Sequence, residues 1–124
     1  MERKIFHIFI YIGVLMLVAC SNEGIAFKKA EQSYAIGEYY TASILYKKSY
    51  SRCKPKEKAK RAVRAFKMGE CYRHIGYTQK AIAAYQNAVR YGVEDSTAFL
   101  HMAREQLKSG QYKQAGQNFN QYLE

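Results

Sequence analysis

The chain is poor in the residues that make linkers, metal sites and catalytic sites. Proline occurs once, at Pro55, and no stretch is rich in glycine and serine, so the sequence contains no internal linker. Its cysteines and histidines form neither a Cys-x-x-Cys pair nor a cluster with metal-ligand spacing. No Gly-x-Ser-x-Gly occurs either. The sequence therefore predicts one domain that is not an enzyme and binds no metal or cofactor.

The one long apolar run of the chain lies at its N-terminus. Fifteen residues from Ile5 to Ala19 contain His7 as their only strongly polar member, after a charged start at residues 1–4. As a helix such a run spans about 22 Å, which is too short for a bilayer core of roughly 30 Å. A charged start, a short apolar run and a small residue at its end are typical of an export signal. We therefore predict a cleaved signal peptide over residues 1–19.

The signal ends in a tetrapeptide that resembles the lipobox of bacterial lipoproteins, Leu17-Val18-Ala19-Cys20. The resemblance implies that Cys20 carries diacylglycerol and acyl chains such as palmitate, and that residues 20–25 form a short tether. Ser21 is not the aspartate that retains lipoproteins in the inner membrane, so the expected location is the outer membrane, facing the periplasm. Export to the cell envelope disfavours nucleic acid as a partner, despite the net charge of +10.

Two cysteines remain after Cys20, and they leave two interpretations open. An oxidising compartment permits a bridge between Cys53 and Cys71. The alternative, which the spacing favours, is that Cys71 is a small buried residue of a helix and Cys53 an unrelated thiol near a helix end.

A trio of glycine, alanine and an aromatic residue recurs along the rest of the chain. The trios are Gly37, Ala42 and Tyr46; Gly76, Ala81 and Tyr85; and Gly110, Ala115 and Phe119. The second and third are 34 residues apart, which is the period of the tetratricopeptide repeat, and the first precedes the second by 39. Gly69, Tyr72, Ala81 and Tyr85 also match the skeleton of that repeat.

This pattern predicts an all-α fold, a tetratricopeptide-repeat α-solenoid of about three helix-turn-helix units after the signal peptide. The domain is predicted over residues 26–124, with units at about 26–55, 62–95 and 96–124. Six helices are expected, over residues 25–36, 39–52, 56–75, 78–91, 96–109 and 112–124. The small residues allow the two helices of a unit to approach closely, and the glycines of the trios end the first helix.

In tetratricopeptide folds the first helix of each unit, here called the A helix, lines a concave groove. The candidate groove residues are Phe66, Glu70, Arg73, His74, Leu100, Arg104, Leu107 and Lys108, with Phe27, Glu31 and Tyr34 as counterparts in the first unit. Phe66 and Glu70 stand where chaperone-type carboxylate clamps need lysine and asparagine, which disfavours that ligand class. Apolar side chains mixed with basic ones suit an extended or helical peptide of some acidic character. The alternative is that these basic side chains are simply solvated.

Basic residues are concentrated between Lys47 and Lys67, where ten of them accompany one acid, Glu57. The central members, here called the basic patch, are Lys54, Lys56, Lys58, Lys60, Arg61 and Arg64. A net charge of +9 in 21 residues indicates an anionic partner, such as an acidic protein surface, lipid headgroups or cell-wall polymers. A solvated helix face is the alternative.

A lipobox followed by these repeats resembles the PorE-type, OmpA-family lipoproteins of Bacteroidota, which belong to type IX secretion and gliding machinery. The resembling stretches include Ala30-Glu31-x-x-Tyr34 and Met68-Gly69-Glu70-Cys71-Tyr72-Arg73. The resemblance implies a membrane-anchored scaffold that binds envelope proteins or peptides and no small-molecule substrate. The β-propeller and peptidoglycan-binding segments of that family are missing here. Two alternatives are a lipoprotein of outer-membrane protein assembly and a truncated fragment of a longer OmpA-family lipoprotein.

Overall fold

The computed structural model describes residues 1–12 and 24–124, and within these ranges it contains helices and no strand. The helices are α1 (Glu2–Ala35), α2 (Tyr39–Arg52), α3 (Lys58–His74), α4 (Thr78–Arg90), α5 (Thr97–Lys108) and α6 (Tyr112–Leu123). The five predicted helices from 39–52 onward are confirmed, each to within two residues at either end. The predicted helix 25–36 forms the C-terminal part of α1, which begins at Glu2 instead.

The predicted lipidation signal cannot be compared with the structure residue by residue. The lipobox residues Leu17, Val18 and Ala19, the modified residue Cys20 and most of the tether 20–25 lie outside the described residues. In the described part of the predicted signal peptide, the apolar side chains among residues 5–12 are all exposed. No helix within the described ranges is both long and apolar enough to cross a membrane.

The helices form three consecutive pairs, α1 with α2, α3 with α4 and α5 with α6, and the main contacts join each helix to its neighbours in the chain. The first helix of each pair is the A helix, and the second is here called the B helix. One core cluster joins units one and two through Ala30, Ala42, Tyr46 and Cys71. A second joins units two and three through Ala81, Ile82, Tyr85, Ala98 and Met102. This arrangement is the predicted tetratricopeptide-repeat α-solenoid.

Each A helix ends at a glycine, as the repeat pattern predicts. Gly37, Gly76 and Gly110 have φ angles of 82°, 77° and 78°, a left-handed conformation that strains any residue with a Cβ atom. The residue after each glycine donates its N–H to the carbonyl five residues earlier, as in Tyr77 to Tyr72 at 2.8 Å. These bonds satisfy carbonyls that the end of the helix leaves open. Gly92, which the sequence analysis did not single out, ends α4 in the same way with φ 79°.

Close packing inside unit two depends on Gly69 of α3. A Cβ atom added there would lie 2.6 Å from Cε1 of Tyr85, a side chain with no exposed surface. The absence of a side chain at residue 69 therefore allows the Tyr85 ring to fill the space between α3 and α4.

The cysteines of the repeat domain are buried free thiols, which confirms the interpretation that the spacing favours. Burial raises the pKa of Cys71 to about 12, so this thiol stays protonated and unreactive near neutral pH. Cys53 donates its S–H to the carbonyl of Ser49 at 3.4 Å.

Candidate functional site

The predicted groove residues lie on α3 and α5 and differ widely in exposure. Arg104, Leu107 and Lys108 on α5 are exposed, and Phe66 and Leu100 are half-buried. Leu107 keeps 43% of its surface exposed. Because these residues share the helix face that the A helices turn toward the groove, α5 supplies most of the accessible apolar and basic surface.

Glu70 does not offer a free carboxylate to the groove, because it is buried and hydrogen-bonded on three sides. Its Oε1 accepts a hydrogen bond from the Tyr85 hydroxyl at 2.5 Å and lies 2.6 Å from Nδ1 of His101. Its Oε2 accepts from Nη2 of Arg73 at 2.8 Å. Glu70 therefore ties together α3, α4 and α5, and acts as a link between units two and three.

The charge state of Glu70 follows from these contacts. Burial alone would raise its pKa, but the hydrogen bonds from Arg73, Tyr85 and His101 stabilise the carboxylate and bring the pKa below its usual range. The same contacts act on the donors. The pKa of Tyr85 is raised, first by burial and then by its bond to Glu70, so its hydroxyl remains a donor. Glu70 is accordingly a permanent anion at neutral pH.

The same arrangement occurs between units one and two. The Tyr46 hydroxyl donates to Oε1 of Glu31, and Nζ of Lys67 lies 3.4 Å from that oxygen. Glu31 and Glu70 are equivalent positions of successive units, as are Tyr46 and Tyr85. We call each set a Glu–Tyr–base cluster: an A-helix glutamate, the B-helix tyrosine of its own unit, and a base from the next A helix, Lys67 or His101.

His74 and Arg73 also take part in contacts within the fold. The His74 ring stacks on Tyr39, with the ring centroids 4.1 Å apart and the planes 6° apart. Arg73 is half-buried, and its Nε is buried without a hydrogen-bond partner in the described part of the chain. The predicted groove therefore divides into a structural half on α3 and an accessible half on α5.

The basic patch is smaller than the sequence predicts, because two of its arginines point into the fold. Arg64 is buried, donates from Nε to the Ser49 hydroxyl at 3.0 Å, and lies 4.3 Å above the centre of the Phe27 ring. Arg61 donates to the carbonyl of Cys53 at 3.0 Å and to the Tyr91 hydroxyl at 3.2 Å. These two arginines hold unit one against unit two and are not available to a partner.

The lysines of the basic patch stay on the surface. Lys54, Lys56 and Lys58 are exposed. Lys60 forms an ion pair with Glu57 at 2.8 Å and keeps 52% of its side chain exposed. The charge of the basic patch is therefore partly internal, and Lys54, Lys56 and Lys58 around Pro55 make up most of its exposed part.

A cavity that the sequence analysis missed adjoins the groove. It has a volume of about 480 Å³ and lies between the first half of α3 and the loop from α4 to α5. Its wall is mainly apolar, from Ala62, Val63, Phe66 and Val93, with Lys67, Glu94 and Asp95 at the edge. The sequence analysis named Phe66 as a groove residue, and this was the one indication of the cavity. The rest of the wall comes from the loop after Gly92, whose position the sequence analysis did not predict.

In the ranges that the structure describes, no three His, Cys, Asp or Glu side chains come together as a metal site would require. Glu70 and His101, which both have acid–base potential, bind each other.

Comparison with known proteins defines the fold. No protein-family profile matches the chain, and no curated protein matches it. Among solved structures, the chain is similar to the second TPR domain of Spaghetti (RPAP3), which was solved bound to the HSP90 peptide SRMEEVD. The two are 17% identical, the match covers 82% of this chain and 90% of that chain, and the TM-score is 0.71. This likeness shows that the fold is a tetratricopeptide-repeat α-solenoid.

Proposed function

We propose that this chain is a protein–protein interaction module whose groove binds a peptide segment of a partner. The observation that carries the proposal is the exposed row of Arg104, Leu107 and Lys108 on α5. The apolar cavity lined by Phe66 is a second opening, at the start of α3. Lys108 is paired with the buried Glu105 at 2.6 Å, so Arg104 is the base of this row that has no acidic partner among the described residues. Exposed apolar surface next to such a positive charge suits a peptide with apolar anchors and an acidic residue. The similar RPAP3 domain binds an acidic peptide, which supports a ligand of this kind.

The state of the polar side chains favours binding over catalysis. Glu70 and His101, the pair with the chemistry of a general base, are buried against each other and serve as links between units. A catalytic pair would need one member accessible to a substrate atom. Tetratricopeptide domains are generally interaction modules without catalytic activity, in keeping with this arrangement.

The proposed module acts at a membrane of the bacterial cell envelope, attached through a lipid on Cys20. The exposed apolar side chains of residues 5–12 support this part of the proposal, because they do not contribute to the core of the repeat domain. Ser21, which is not the aspartate that retains lipoproteins in the inner membrane, supports the outer membrane, facing the periplasm, as the proposed location. The resemblance to PorE-type lipoproteins favours a secretion machinery of the type IX kind over outer-membrane protein assembly.

Cys20→Ala tests the anchor. We expect the variant to keep its signal peptide and to incorporate no labelled fatty acid. Because 19 residues are not removed, its polypeptide should be about 2 kDa heavier than that of the mature chain. Mass spectrometry and fatty-acid labelling measure both effects. The control is Ser21→Ala, which leaves the modified thiol in place. Normal processing and labelling of Cys20→Ala would contradict the lipid anchor.

A comparison of two surface variants tests the groove. In Leu107→Asp/Lys108→Gln the exposed row loses its apolar and basic character, and we expect cross-linked recovery of envelope partners to fall about tenfold. The control, Lys54→Gln/Lys56→Gln/Lys58→Gln, removes more positive charge from the basic patch and should reduce recovery less than twofold. Quantitative mass spectrometry of cross-linked envelopes gives both values. A larger loss in the control would assign binding to the basic patch.

A further inference from the structure

Unit three departs from the Glu–Tyr–base cluster that the other two units share. The glutamate position, Glu31 in unit one and Glu70 in unit two, is occupied by Arg104. The tyrosine position, filled earlier by Tyr46 and Tyr85, is occupied by Phe119. Arg104 is exposed and forms no ion pair with any described residue. In units one and two this position holds a glutamate that contacts a basic residue of the next A helix. In unit three the same position holds a basic residue, Arg104.

The B helix of unit three also has an apolar face without a neighbour. In unit two, α4 packs Ile82, Tyr85 and Val89 against Ala98 and Met102 of α5, the next A helix. One period of 34 residues later, the three α4 positions are Gly116, Phe119 and Leu123 on α6.

This face of α6 is accessible. Leu123 is 79% exposed, Tyr112 on the same side is 71% exposed, and a Cβ atom at Gly116 would meet nothing within 4 Å. No described element of the chain covers it. The outer surface of unit three thus keeps the apolar residues that an adjoining A helix would contact. Beside them, the negative charge of the glutamate in the other units is replaced by the positive charge of Arg104.

We propose that this outer surface, formed by Arg104 and by the Tyr112, Gly116, Phe119 and Leu123 face of α6, binds an amphipathic helix of a partner protein. That helix carries a carboxylate opposite Arg104, at the position where Lys67 and His101 face the glutamates of units one and two. The site shares Arg104 with the groove of the proposed function but otherwise lies on α6, and either proposal can fail alone.

Charge complementarity disfavours a second copy of this chain as the occupant. In a head-to-tail stack, α1 of the second copy would take the place of the next A helix. Its residue at the position of Lys67 and His101 is Lys28, which would face Arg104 with a like charge. In a two-fold pairing through α6, that helix offers Lys113 and no acidic residue over Tyr112–Leu123. Neither arrangement of a second copy brings a carboxylate to Arg104.

The test uses a helix of this chain as its probe. Two helix-stapled, fluorescent peptides carry the α5 sequence, Thr97–Lys108, one with His101→Glu and the other with His101→Lys. We expect the full chain, kept in one detergent, to bind the Glu peptide at least about tenfold more tightly than the Lys peptide. In the Arg104→Glu chain this preference should reverse. Fluorescence anisotropy measures the four dissociation constants, and a reversal cannot arise from a general loss of fold.

Further variants identify the surface. Leu123→Asp should weaken binding of the Glu peptide about tenfold, whereas Gln114→Asp, on the opposite side of α6, should leave it unchanged. The groove variant Leu107→Asp/Lys108→Gln should also bind the peptide normally, which separates this proposal from the proposed function. Equal binding of the two peptides, or an unchanged preference in Arg104→Glu, would overturn the proposal. So would a dimer, seen by sedimentation, that Leu123→Asp disrupts and Arg104→Glu does not.

Discussion

Gly69→Leu should unfold unit two. The Cβ atom alone would lie 2.6 Å from Cε1 and 2.7 Å from Cδ1 of Tyr85. This ring cannot move aside, because it is fully buried and its hydroxyl is held by Glu70. Overpacking costs about 1–3 kcal/mol and sometimes more, and we expect a loss of about 3 kcal/mol or more here, a large part of the 5–15 kcal/mol that stabilises a small domain. Urea unfolding followed by circular dichroism measures the loss.

The same substitution at Gly116 is a matched control. Gly116 also lies inside a helix, but a Cβ atom there meets nothing within 4 Å. Because leucine is a better helix former than glycine, Gly116→Leu should stabilise the protein by about 0.5–1 kcal/mol. Comparing Gly69→Leu with Gly116→Leu separates packing from helix propensity, because the change in helix propensity is the same at both sites and the packing around the new side chain is not. Equal effects at the two positions would contradict the close contact between Gly69 and Tyr85.

Glu70→Ala should destabilise the protein by about 3 kcal/mol. The substitution removes the acceptor of Tyr85, His101 and Arg73 together, and it leaves these donors in a partly buried place without a partner. Glu31→Ala is the matched control, because Glu31 holds the equivalent position with 42% of its side chain exposed. Its loss should stay below about 1 kcal/mol, as is usual for exposed ion pairs. Equal losses would mean that Glu70 does not link units two and three.

The contribution of Glu70 should also depend on pH. Since folding lowers the pKa of this carboxyl, its stabilisation is present above the usual carboxyl range and disappears as pH falls through the lowered value. The difference in unfolding free energy between the parent and Glu70→Gln should therefore be largest near pH 7 and narrow toward about pH 3. A difference that widens on acidification would contradict the direction of the shift.

The sequence predicts the architecture well because the repeat makes each prediction three times. Gly37, Gly76 and Gly110 mark the ends of the A helices, and their left-handed conformations leave glycine as the favoured residue. The period of 34 residues then predicts where the B helix that packs against each A helix begins and ends. The predicted start of the first helix was wrong, because α1 begins at Glu2 and Gly24, just before the predicted start, does not end it.

The candidate site was harder to predict, because it depends on contacts between units. Periodicity places Glu70 and His101 on A helices, but it does not show that they meet each other. The same applies to Arg64, which has the sequence signature of an exposed basic residue yet packs on Phe27, 37 positions earlier. Charge counts along a chain cannot separate a solvated arginine from one that joins two helices.

Contacts that join mainly consecutive helices have a consequence for how the chain folds and opens. Few residues distant in sequence must find each other, so the relative contact order is low and folding should be fast, with any unit able to nucleate. Local unfolding should likewise begin at a helix with few neighbours and spread to the next helix along the chain. The last helix, α6, has a neighbour on one side within the described residues, and amide protons there should exchange first, followed by those of α5. Occupation of the outer face of unit three would slow that exchange, so fraying at this end reports whether a partner is bound.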